Sequence, residues 1–108
     1  MKTRTLTELI AHLNDILEQE GHTCKVYGQP PANVRMIYPC VVIEEDNSKI
    51  RHANNKIYKR MKKYTLTIIS KDILDTTADD LEYDLEYCKY ENSFVTEGLY
   101  HKKLNLYF

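Results

Sequence analysis

Residues 5–20 constrain the fold more than any other stretch. Leu6, Leu9, Ile10, Leu13, Ile16 and Leu17 recur at i, i+3 and i+4, a spacing that makes one apolar stripe on an α-helix and a scatter on a strand. Thr5 and Glu8 have the spacing of a capping box, in which hydroxyl and carboxylate each satisfy an unpaired backbone N–H. Gly21 supplies the stop, because glycine reaches left-handed dihedrals without steric cost. A helix with one apolar stripe needs an apolar surface to cover, and the rest of the chain provides strands for it.

The strand signals follow in order. Residues 23–27 make a short strand, ended by Gly28-Gln29-Pro30-Pro31 and a loop over 28–36. Residues 38–44 form a strand with a β-branched centre, and Pro39 belongs at its start or on an edge. Residues 64–70 alternate, with Tyr64, Leu66 and Ile68 on one face and Thr65, Thr67 and Ile69 on the other. Residues 38–45 and 58–70 therefore read as the arms of a long hairpin with an extended polar tip. A second helix runs from Thr76 or Thr77 to residue 87, with Thr76–Asp79 or Thr77–Asp80 as its cap and Ala78, Leu81, Leu85 and Cys88 on its apolar side. Two closing strands, 89–95 and 100–108, flank Thr96-Glu97-Gly98; Tyr100, Leu104, Leu106 and Phe108 share a side, with Lys102 as a long stem between them. The expected order is α-β-β-β-α-β-β. It implies one α+β domain over residues 1–108, with a mainly antiparallel sheet of four to five strands, two helices on one face and a long hairpin extension.

Several function classes fall away. The longest apolar run is Cys40-Val41-Val42-Ile43, far short of the ~20 residues that cross a bilayer, so no membrane partner is expected. Glu8, His12, Asn14 and Asp15 stand where a leader peptide needs an apolar core, so the start reads as mature sequence. Cys24, Cys40 and Cys88 show no CxxC spacing and suit a reducing compartment. Phosphate-loop, metalloprotease, hydrolase-elbow and calcium-loop motifs are all missing. His12, His22, His52 and His101 fall in different elements, and His22-Thr23-Cys24 lacks a second ligand pair. The expectation is a non-enzymatic protein with no metal and no cofactor.

Charge is the informative feature. Lys49, Arg51, Lys56, Lys59, Arg60, Lys62 and Lys63 occur with no acid between them, and Asp72, Asp75, Asp79, Asp80, Glu82, Asp84, Glu86 and Glu91 occur with only Lys89 against them. The net charge is nonetheless −1. Either the two segments are solvated faces or pair within one chain, or the basic tip of one copy meets the acidic helix of the next, a heterologous contact that closes into a ring when the rotation permits. The second reading puts the oligomer interface on Lys49, Arg51, Lys56, Lys59 and Arg60 in the hairpin and on Asp79, Asp80, Glu82 and Asp84 in the second helix. A third reading makes residues 49–63 the contact surface of a small cytoplasmic nucleic-acid-binding protein.

Particular blocks carry a family likeness: Tyr38-Pro39-Cys40-Val41-Val42, Asn54-Asn55-Lys56-Ile57-Tyr58, the run from Lys63 to Asp72, Glu86-Tyr87-Cys88, Gly98-Leu99-Tyr100-His101 and Leu104-Asn105-Leu106-Tyr107-Phe108. Together these resemble the tail-terminator, or head–tail joining, proteins of long-tailed bacteriophages and prophages. The chain departs from that pattern at Ile73, where a proline is common, and over residues 97–101. The resemblance implies a structural neck protein of the virion, assembled in the bacterial host cytoplasm as a homo-oligomeric, hexameric ring. Such a ring caps the tail tube, ends its polymerisation and offers a face to the head connector. DNA passing through the lumen would touch it only nonspecifically.

Overall fold

The computed structural model describes residues 6–28, 35–46 and 62–108. Helix α1 (Leu6–Gln19) is followed by β1 (Lys25–Gly28), β2 (Cys40–Asp46), β3 (Lys63–Ser70), α2 (Thr77–Asp84), β4 (Cys88–Thr96) and β5 (Leu99–Tyr107). The strands form one five-stranded sheet in the order β1-β2-β3-β5-β4. Among the described residues only the β1–β2 pair is parallel; β2–β3, β3–β5 and β4–β5 are antiparallel. The fold is therefore α+β with a mostly antiparallel sheet, as the sequence pattern implies.

Helix α1 buries Leu9, Leu13, Ile16 and Leu17. They join Val41, Ile43, Tyr64, Leu66, Ile68, Leu104, Leu106 and Phe108 from the sheet side, and Ala78, Leu81 and Leu85 from around α2, in one core cluster. Each such side chain stabilises the fold by roughly 1.5–3 kcal/mol relative to exposure. Both helices thus cover the same face. On the other face Cys40, Val42 and Ile69 form a smaller cluster under Tyr27, Met36, Tyr38 and Leu99.

The stop of α1 has a specific geometry. Gly21 adopts φ 76°, His22 N–H donates to the Leu17 carbonyl at 2.8 Å, and Gly21 N–H donates to that of Glu18 at 3.1 Å. This is the paired closure that satisfies a helix's last carbonyls. Gly28 lies inside β1 rather than after it, and an added Cβ would stand 2.7 Å from Ile10 Cδ1, so the glycine lets β1 approach α1. At the β4–β5 turn Glu97 and Gly98 both have positive φ, 51° and 75°, the two-residue turn whose twist matches the flanking strands.

Two expectations need correction. Helix α2 ends at Asp84, not 87, because Leu85 turns to an extended conformation (φ −87°, ψ 135°); Leu85 and Cys88 reach the core by leaving the helix. The expected threonine cap is also not formed: Thr76 is the N-cap residue but its side chain makes no capping bond. The carboxylate of Asp75 takes that role, accepting the Thr77 N–H at 2.8 Å. The hairpin arms are paired as far as Asp46 opposite Lys63, and the expected tip lies outside the described residues.

Candidate functional site

The predicted interface falls into two parts. Lys49, Arg51, Lys56, Lys59 and Arg60 lie outside the described residues. Since β2 and β3 are paired up to Asp46 and Lys63, the chain carrying those cations leaves and re-enters the sheet at that end. Asp79, Asp80, Glu82 and Asp84 are all on α2.

Helix α2 starts at the opposite end of the sheet, beside Ser70. Asp72 N–H donates to Ser70 Oγ at 3.1 Å, and Leu74 N–H donates to Asp72 Oδ1 at 2.9 Å. Lys102, opposite Ile68 in β5, donates its ammonium to the Asp75 carbonyl at 3.4 Å. The Thr77 hydroxyl also donates to the Asp75 carboxylate. Burial pushes the Asp75 carboxyl up, but the Thr77 hydroxyl and N–H, the Ser70 hydroxyl and the nearby His22 outweigh it and hold it below the ordinary value.

Three of the four acids have partners within the chain. His22 Nε2 lies 2.6 Å from Asp80 Oδ2, while its Nδ1 is 3.4 Å from Thr77 Oγ1, so the residue after the α1 stop clasps the first turn of α2. Glu82 accepts the Tyr90 N–H at 2.6 Å. Asp84 shares a hydrogen bond with Glu20, and that bond and the charge of Asp84 raise the Glu20 carboxyl above its ordinary value. Asp79 is exposed. It makes no hydrogen bond or ion pair among the described residues and offers its charge outward.

Hydroxyl, imidazole and carboxylate stand in line at Thr77, His22 and Asp80, an order familiar from nucleophilic catalysis. Here Thr77 is 1% exposed and its hydroxyl is given to Asp75, so the trio holds two helices together. The thiols are equally withdrawn: burial raises Cys24 and Cys88 to about 12 and Cys40 to about 11. Among the described residues no three His, Cys, Asp or Glu side chains gather around a point that could hold a metal ion. No described helix is long and apolar enough to cross a membrane.

Sequence reading missed two features. The His22–Asp80 contact joins residues 58 positions apart, and no local spacing announces it. The exposed apolar side chains Ile73, Leu74, Phe94 and Val95 could be named from composition, but the strand register is needed to show that they belong to the Ser70 end. Phe94 and Val95 face His101 and Tyr100, and Tyr100 faces Ser70. No family model matches the chain, and comparison with curated proteins and with solved structures gives no match.

Proposed function

We propose that this chain is a structural assembly protein of the tail-terminator type, acting as a ring of identical copies at the neck of a long-tailed phage particle. The single observation that carries the reading is the placement of charge along the sheet. The basic segment 47–61 is flanked by Asp46 and Lys62, next to the Asp46–Lys63 pair that ends the β2–β3 ladder, and the first turn of α2 begins roughly 25 Å away, at the far end of an eight-residue strand. Lys62 and Lys63 at one end and the first-turn acids Asp79 and Asp80 at the other suit head-to-tail contact between copies, the heterologous geometry that generates rings. Exposed Ile73, Leu74, Phe94 and Val95 at the acidic end add apolar surface for a neighbour to cover. The ring would cap a tail-tube protein and meet a head-connector protein, as the resemblance implies.

The test is the mass of the chain in solution against concentration and salt. The reading expects an oligomer of defined size in dilute buffer, dissociating as ionic strength rises toward ~1 M, where charges are screened beyond about 3 Å. A strict monomer under every condition, with and without added tail-tube protein, would contradict it.

A further inference from the structure

A cavity of about 340 Å³ opens where β3, β5 and the start of β4 meet, lined by Lys63, Lys89, Asn105 and Tyr107 with Glu86 and Tyr87 at its side. Side-chain alternation explains the lining. Tyr64, Cys88, Leu104 and Leu106 are buried toward the helices, so Lys63, Lys89, Asn105 and Tyr107 project from the other face. The register sets Lys63 opposite Tyr107 and Lys89 opposite Asn105. The two lysines therefore straddle β5 with Cα atoms roughly 10–12 Å apart, close enough for both ammonium groups to meet one tetrahedral anion. Tyr107 N–H donates to the Tyr87 carbonyl at 3.0 Å, and Lys62 and Phe108 exchange two backbone bonds at 3.1 and 3.0 Å, so the wall rests on paired backbone.

We propose that this cavity binds phosphate: the phosphate group of a nucleotide, either free or within a nucleic-acid strand. Two lysines and a carboxamide around one recess offer charge-assisted donors for an oxyanion. Lys103, two residues from Asn105 on the same face, extends the positive surface, its Nζ standing 5.6 Å from the Phe94 ring centre. Glu86 is the one acid of the lining, and it is exposed at the rim, where it weakens an anion's hold. Nothing in this site depends on ring assembly, so the two proposals stand or fall separately.

The full chain, isotopically labelled, is titrated with inorganic pyrophosphate, with ADP and with a single-stranded oligothymidylate while backbone amide signals are followed. Saturable shifts centred on Lys63, Lys89 and Asn105 are expected. A Lys63→Gln/Lys89→Gln double variant should bind about tenfold or more weakly, and Glu86→Gln should bind about twofold more tightly at low salt. Binding of pyrophosphate and ADP alone identifies a free nucleotide as the source; binding of the oligonucleotide at far lower concentration identifies a strand. Absence of saturable shifts with all three probes overturns the proposal, as does unchanged affinity in the double variant. If the double variant melts early, Glu86→Gln decides, and an unchanged affinity there overturns the proposal.

Discussion

Helix α1 buries four aliphatic side chains along one stripe, whereas α2, resting on the same sheet face, buries only Ala78 and Leu81 beside the polar Thr77. The first is held by area removed from water. The second is held mainly at its beginning, where Asp75, Thr77, Asp80 and His22 bond one another. An element secured by a few directed contacts at one end can devote its remaining surface to charge, and α2 does so with Asp79, Glu82 and Asp84. The contrast separates what keeps the domain folded from what is available to a partner.

The contrast breaks most readily at α1. Leu13 has no exposed surface, so Leu13→Ala removes a core side chain and leaves a cavity worth about 3 kcal/mol. Thermal melting should shift downward by roughly 10–20 °C. A shift of only a degree or two would mean that α1 is not the principal cover of the sheet.

The polar anchor of α2 gives a smaller effect with a pH signature. Asp75→Asn should destabilise by about 1–2 kcal/mol, the scale of hydrogen bonds to a charged group. Because the folded-state carboxyl of Asp75 is held low, its stabilisation is present above the unfolded value near 3.9 and is lost as pH falls through the lower folded value. Denaturation midpoints measured from pH 6 to pH 2 should therefore fall less steeply for the variant than for the natural chain. Parallel curves would remove Asp75 from the account.

Legibility in the sequence followed the same division. Helix α1, the alternation in β3 and the faces of β5 were readable because each rests on a local period repeated over several residues. Gly21 was readable as a stop because the left-handed turn needs glycine. The anchor of α2 was not: Thr76 and Thr77 both fit a capping pattern, and only the structure shows that Thr76, the N-cap residue, makes no capping bond and that the Asp75 carboxylate accepts the Thr77 N–H instead. Leu85 and Cys88 fit a helical stripe and in fact reach the core outside the helix, Leu85 in an extended conformation and Cys88 at the start of β4. The acids of α2 were visible as a run, yet their division into those bonded to His22, Tyr90 or Glu20 and the outward Asp79 depends on contacts between distant residues. The cavity between Lys63 and Lys89 needed the register of three strands, two of them adjacent only through β5.

The most direct measurement of the assembly claim exchanges charge between its two halves. Asp79→Lys reverses the outward acid of α2, a surface change expected to alter stability by no more than about 0.5 kcal/mol; Lys59→Glu with Arg60→Glu reverses the basic segment. Particle mass is determined at low salt for each variant and for their equimolar mixture. The account predicts that each variant alone is driven toward monomer, since like charges then meet, and that the mixture regains the wild-type mass because each reversed surface finds its complement. Variants that assemble like the natural chain, or a mixture that stays monomeric, would contradict it.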